Sequence, residues 1–303
     1  MHPAPSVIIF TVTAGAGYGL FFWLAFARMG SLAPTITDAQ LVIGGIVGLV
    51  LVTIGLLSST LHLANPKNAW RSFMRFRTSW LSREAVFAVL FYPVALLWFV
   101  TGGNSVFGLL VALLAIVVLV CTAMIYGSLK TIRQWNNALT PVNFVLLGLA
   151  AGAALFTLIT LIQGVFTPRI LALTVAVIAA AAFSKLLYFS WIGQPAGPTI
   201  NTALGFTRAT VQLLDVGHSS DTFLTKEFGY EVARAKILWA RVFAIVVGFV
   251  LPLVLLTGLL GLPGIAHAAM ASLLIIAGVF VERWLFFAEA RHVVTLYHGQ
   301  QRT

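Results

Sequence analysis

The sequence predicts an all-α integral membrane protein, a bundle of eight transmembrane helices forming a single membrane domain over residues 1–303. Three observations predict it. The chain is 60% hydrophobic and only 9% charged, where a soluble domain carries about 25% charged residues. Its mean hydropathy is +1.01. Its apolar runs each reach roughly 20 residues, the length a helix needs to cross a ~30 Å hydrocarbon core. The ten-residue alternating pattern of a membrane β-barrel is missing from the sequence.

The spans lie near 6–29, 39–63, 83–101, 105–128, 142–163, 170–191, 238–260 and 265–288. The first has no basic segment before it, so it reads as a permanent span and not a cleaved signal. Asn65-Pro66 stops the second, because proline removes a donor and disfavours helix just before it. Gly102-Gly103-Asn104 turns the chain between the third and fourth. Thr140-Pro141 and Thr167-Pro168 open the fifth and sixth. Gly261-Leu262-Pro263-Gly264 makes a hairpin between the last two. Short links make consecutive helices antiparallel neighbours. Gly44, Gly45, Gly48 and Gly152 read as helix-packing positions. The lone Cys121 reads as a small buried hydrophobe, since one cysteine supports neither a disulfide nor a cysteine-held iron–sulfur cluster.

Two connections are long: a basic loop over 64–82 and a second connection over 193–236, whose latter half has helical spacing. Sixteen of the 18 Lys and Arg residues fall at the second, fourth and sixth connections, the C-terminal tail and the adjoining helix ends; Arg28 and Arg169 are the exceptions. Positive charge marks the cytoplasmic side. Both termini and both long connections are therefore expected in the cytoplasm. Trp80, Trp135, Trp191, Trp239 and Trp284 are expected as an aromatic belt at that face. Orientation accounts for the basic residues, so nucleic acid is not an expected partner.

The segment from His62 to Glu84 holds the candidate site. His62 closes the second run and Glu84 opens the third, 22 positions on. Antiparallel helices return both to one membrane face. Quinone redox chemistry moves two electrons and two protons, and a histidine and a partly desolvated carboxylate are the groups that exchange protons near neutral pH. Each residue also has a structural reading. Glu84 can favour a helix N-terminus with Ser82 as its cap, and His62 can cap the last carbonyls of its helix. Arg71, Arg75, Arg77 and Arg83 set topology, and also suit docking of an acidic partner or contact with lipid head groups. Lys185, Glu282, Arg283 and Glu289 read as interface anchors, with Glu282 a candidate proton relay. Adjacent on a helix, Glu282 and Arg283 need not pair with each other.

Neither a haem nor another metal site is expected. A membrane b-haem wants two histidines on facing helices. His2 and His218 lie outside the spans, His267 lies at the opposite face from His62, and His292 and His298 lie beyond the last span. A transporter is the alternative of another class, but the midplane offers only Ser, Thr and Gly where carriers place charge.

The stretch LHLANPKNAWRSFMRFRTSWLSREA resembles the second-to-third helix segment of the dimethyl sulfoxide reductase membrane-anchor family (DmsC). TKEFGYEVARAK and ERWLFFAEARHVVTLYHG resemble that family too, and eight spans agree. The resemblance implies a non-catalytic, multi-pass subunit of the bacterial cytoplasmic membrane. It would hold a four-cluster iron–sulfur subunit and a molybdopterin catalytic subunit, and exchange electrons with ubiquinone or menaquinone as an exchangeable ligand. By motif position, His62 and Glu84 become the quinone-linked residues. A loop on the cytoplasmic side departs from the periplasmic dimethyl sulfoxide reductases. It agrees instead with the family's cytoplasm-facing sulfite dehydrogenase (SoeC-type) anchors. That role is expected first, and the anchor of a dimethyl sulfoxide reductase oxidising menaquinol second.

Overall fold

The computed structural model describes residues 2–30, 36–61, 65–194, 197–215, 217, 219–220, 222–228, 230, 234–258 and 263–303. It contains eight helices long and apolar enough to cross a membrane: α1 Pro5–Met29, α2 Asp38–Thr60, α3 Trp80–Val100, α4 Ser105–Gly127, α5 Leu139–Ile162, α6 Pro168–Gly193, α7 Ala235–Leu256 and α8 Ile265–Ala288. These are the eight expected spans, with ends displaced by a few residues. The 64–82 loop holds a 3-10 turn, Pro66–Phe73. Short helices Ile200–Leu204 and Phe223–Phe228 lie within the 193–236 connection.

Local chemistry explains the helix starts. Thr37 and Gln40 form a reciprocal capping box at α2. Ser79 caps α3 by accepting from the Ser82 amide. Asn104 caps α4, and Thr167 caps α6 just ahead of Pro168. Between α3 and α4, Gly102 and Gly103 take φ of 63° and 76°, where a side chain would be strained. Within α7 a single π turn, Val246–Val250, precedes Pro252, whose missing N–H interrupts the regular ladder.

α1 is the most deeply buried of the eight and packs on α2, α4, α5 and α8. One core gathers α1 to α4 around Phe21, Leu24, Phe91 and Trp98. The other gathers α5 to α8 with the inner part of α1, around Phe144, Ala151, Tyr188 and Phe286. Lipid supplies no hydrophobic drive between helices, so close backbone contact must hold them. The expected packing glycines do this. A methyl group at Gly17 would lie 2.8 Å from the Gly48 carbonyl oxygen, and one at Gly152 would overlap the backbone of Gly19 and Leu20. Gly44 and Gly45 receive Leu24 and Phe99 in the same way. Cys121 is buried and free, as expected.

Hydrogen bonds fasten both ends of the bundle. At one end Arg28 donates to the Ile36 carbonyl at 2.6 Å, to Asp38 at 2.6 Å and to the Gly102 carbonyl at 2.8 Å, joining α1, α2 and the α3–α4 turn. Gln40 and Gln163 exchange side-chain-to-carbonyl bonds beside it. At the other end the α4–α5 connection folds under α8. Trp135 donates to the Phe286 carbonyl at 2.8 Å, and Tyr188 to the Gln134 carbonyl at 2.9 Å. Trp135 is therefore buried at 2% exposure and stands outside the expected aromatic belt, whereas Trp239 is 72% exposed. The C-terminal turn Val293–His298 closes this end: the His292 Nδ1 accepts from the Val294 amide, and the Val293 amide donates to the Thr131 carbonyl.

Two outcomes follow from this packing. Gly152→Leu drives a side chain into α1 and is expected to cost about 1–3 kcal/mol or more, read as a lowered unfolding temperature in detergent. Gly193→Ala, which meets open space, leaves that temperature unchanged. Burial holds the His292 imidazole below its ordinary value. Its neutral form caps Val294, so this stability is full above about pH 6.5 and is lost as pH falls through the lower folded value. The hydrogen-exchange protection factor of Val294 should drop in mild acid, and His292→Asn should remove that dependence.

Candidate functional site

Glu84 lies deeper than its sequence position suggested. Because Ser79, and not Ser82, caps α3, the carboxylate stands beyond the first turn, which holds no acidic residue. It is therefore not a partner of the helix N-terminus. Glu84 is 5% exposed and faces α4, where its carboxylate is hydrogen-bonded to the Thr122 hydroxyl. That hydroxyl also lies 3.0 Å from the Val118 carbonyl. Thr122 has one proton and two acceptors in reach, so its hydroxyl can donate to an ionised Glu84, or donate to Val118 and accept from a protonated one. The pair thus accommodates either state of the carboxyl without rearranging a helix.

Tyr18 of α1 and Tyr126 of α4 lie within electrostatic reach of Glu84. The Tyr18 ring of α1 meets Phe91 of α3 edge-on, with centroids 5.0 Å apart. The Tyr18 and Ser82 hydroxyls are buried and have no hydrogen-bond partner among the described residues. Farther along α3, Tyr92 and Thr53 of α2 share a hydroxyl–hydroxyl bond of 2.8 Å. Elsewhere α2 and α3 scarcely touch. A groove of about 250 Å³ runs along α2 beside this bond, lined by Ile46, Leu49, Val50, Thr53 and Ile54. His62, the other member of the expected pair, lies outside the described residues.

The four arginines of the loop divide. Arg83 donates to the Phe76 carbonyl at 3.0 Å and to the Arg77 carbonyl at 2.7 Å, and its guanidinium sits 4.3 Å over the Trp80 ring. It binds the loop to α3. Arg71, Arg75 and Arg77 are exposed beside exposed Trp70, Phe73, Met74 and Phe76.

Lys185, Glu282 and Arg283 are not interface anchors. They are 1%, 0% and 2% exposed. Lys185 of α6 is ion-paired with Glu282 of α8, and the Arg283 Nε lies 3.5 Å from the other oxygen of Glu282. Neighbours on one helix do meet here, because the Lys185 ammonium brings the carboxylate round between the two cations. Aromatic faces take up the remaining surface. Lys185 Nζ sits 3.9 Å over Tyr188 and 4.6 Å over Phe189, and Arg283 sits 3.6 Å over Phe144. Glu289 pairs instead with Arg241, at 10% and 25% exposure. In the sequence these were charges near helix ends, Lys185 eight residues from the end of α6 and Glu282 six from the end of α8, so the signal for a buried cluster was only that they lie within the spans. Thr122 and Tyr18 carried no such signal, since polar residues of their kind recur throughout the spans.

Eight membrane-length helices among the described residues, the buried α1 one of them, with ionisable groups sealed inside one end, define a multi-pass membrane protein with a built polar interior. Residues 1–288 match the family described as DMSO reductase anchor subunit (DmsC), and the protein belongs to that family. Its role is that of a membrane anchor in an oxidoreductase complex. The C subunit of the sulfite dehydrogenase of Allochromatium vinosum is 32% identical to it over 324 aligned positions, covering 98% of this sequence and 99% of that protein. The C chain of the anaerobic dimethyl sulfoxide reductase of Escherichia coli is 31% identical over 169 positions, covering 52% of this sequence and 58% of that protein. The protein of the same description from Haemophilus influenzae is 28% identical over 159 positions, covering 49% and 56%.

Removing one carboxylate at each pair separates the buried cluster from the surface one. Glu282→Gln leaves two sealed cations without a counter-charge and is expected to cost about 3–5 kcal/mol, seen as loss of monodisperse protein in mild detergent. Glu289→Gln faces a partly exposed arginine and is expected to cost about 1 kcal/mol or less.

Proposed function

We propose that this protein anchors a cytoplasm-facing sulfite dehydrogenase, passing electrons from an iron–sulfur subunit into quinone at a site that contains Glu84. The observation that carries the reading is the sealed Glu84–Thr122 pair at the end of the bundle next to the arginine loop. A quinone's ring oxygens need donors and acceptors that tolerate proton exchange, and Thr122, Glu84 and the unpartnered Tyr18 hydroxyl provide them. Quinone, as the exchangeable ligand, supplies the two-electron, two-proton chemistry. Glu84 holds or releases a proton, Thr122 reorients its hydroxyl to match, and burial keeps the pair from bulk water. His62, outside the described residues, is the second proton-exchanging group of this proposal on its position in the sequence alone.

Two further points favour the sulfite-linked role. The likeness to a sulfite dehydrogenase subunit runs the length of both proteins, whereas that to the dimethyl sulfoxide reductase subunits covers about half. The basic residues gather on one face, the cytoplasmic one by charge. Exposed Arg71, Arg75 and Arg77 then face the side where the four-cluster iron–sulfur subunit docks, with the molybdopterin catalytic subunit beyond it. The second reading, an anchor that oxidises menaquinol for a dimethyl sulfoxide reductase, has the family description in its favour. Family membership replaces the transporter alternative.

One assay tests the proposal. In inverted membrane vesicles, sulfite added outside should reduce quinone, and Glu84→Gln should lower that rate by about 100-fold while sparing electron transfer to a soluble dye. Equal loss of both activities, or sulfite oxidation only in right-side-out vesicles, would overturn it. Quinol-dependent reduction of dimethyl sulfoxide in its place would establish the second reading.

A further inference from the structure

We infer that the Lys185–Glu282–Arg283 cluster is a proton-exchange site inside the bundle, with Lys185 the group that gains and loses the proton. Three charged side chains sit together at 2% exposure or less, and only one is an acid. The neighbouring charges cancel, because Glu289 is matched by Arg241. A guanidinium keeps its proton in a protein, so Arg283 is always positive and Glu282 can balance it. The charge of the whole cluster then turns on the lysine. It is +1 with the proton on Lys185 and zero without it. Neutrality suits burial in a low-dielectric bundle. The charged form is met by the faces of Tyr188 and Phe189 at 3.9 and 4.6 Å, so each state has its own support.

The surrounding elements supply both an outlet and a link. From α8, Glu282 and Arg283 face the lysine; from the end of α8, Glu289; from its own helix, Tyr188; Arg241 of α7 lies over the Phe189 ring and reaches Tyr188, and from α4 Tyr126 reaches Arg283. Glu289 stands two turns beyond Glu282, about 10 Å along the helix, on the same side and partly exposed. It lies between the cluster and the surface of the basic face. Inward, Arg283 lies on the Phe144 ring, on which Tyr126 also stacks with centroids 5.8 Å apart. Tyr126 interacts electrostatically with both Arg283 and Glu84. The Phe144 and Tyr126 rings therefore join the cluster to α4, the helix that carries Thr122 of the Glu84 site. This last link rests on the proposed quinone role; the proton exchange itself does not.

The test uses the purified full-length protein with 13Cε-labelled lysine, which reports on five residues: Lys67, Lys130, Lys185, Lys226 and Lys236. Lys185→Met identifies the buried resonance, and Lys185→Arg does so if the methionine variant fails to fold. The expected result is that the Lys185 resonance moves between two limiting positions across the pH range in which the protein stays folded. In Arg241→Gln, which unbalances Glu289, the midpoint should shift by at least about half a pH unit. A resonance fixed at one limit at every pH would overturn the inference. No quinone or partner subunit enters the measurement, so its failure is distinct from failure of the quinone reading. In the assembled complex, a moving resonance should be matched by a changed pH profile of quinone-coupled turnover in Lys185→Arg, with dye-linked turnover unaltered.

Discussion

How closely α1 can approach its neighbours governs the rest of the molecule. In a bilayer, apolar side chains gain little by leaving lipid for protein, so helices associate through van der Waals contact over matched surfaces. Gly17 against Gly48, and Gly19 against Gly148 and Gly152, let three backbones meet with nothing between them. α1 thereby becomes the common wall of both cores. Glu84 and Thr122 belong to helices that lean on this wall, and Tyr18 projects from it.

The two ends of the bundle handle charge differently. Arg28 satisfies its guanidinium at the surface with one carboxylate and two carbonyls, and gains a junction of three elements. The opposite end carries its cations inward, where water cannot screen them, and meets them with one carboxylate and several aromatic faces. A junction like the first contributes stability with modest desolvation. The second costs desolvation of three ions, and removing one partner from it costs more still, because a buried charge is left uncompensated.

The spans were legible because length and apolarity alone decide them. Their exact starts were less so. Ser79 and Ser82 are both capping residues, and Trp80 and Leu81 between them suit a helix or an interface equally. Tertiary contact with the loop through Arg83 draws the helix start one turn earlier, and that turn moves Glu84 from a terminus into the interior. Lys185 and Glu282 were visible as charges near helix ends, yet pairing across α6 and α8 depends on helix rotation, which periodicity cannot fix in helices apolar all round. The same ambiguity hid Trp135: its place in a connection suggested a membrane surface, and the fold of that connection under α8 buried it.

The Arg28 junction has a mechanical consequence. It ties the α1–α2 link and the α3–α4 turn together at one end of the first four helices. With that end clamped and little contact between α2 and α3 along their length, the two helices resemble the arms of tongs. Their tips are the end of α2 and the start of α3, where Glu84 lies, and Thr53–Tyr92 is the cross-tie between the arms. Parting the tips would break the Thr53–Tyr92 hydroxyl pair and loosen the α2 and α3 side chains that share the first core, while the Arg28 pivot stays closed.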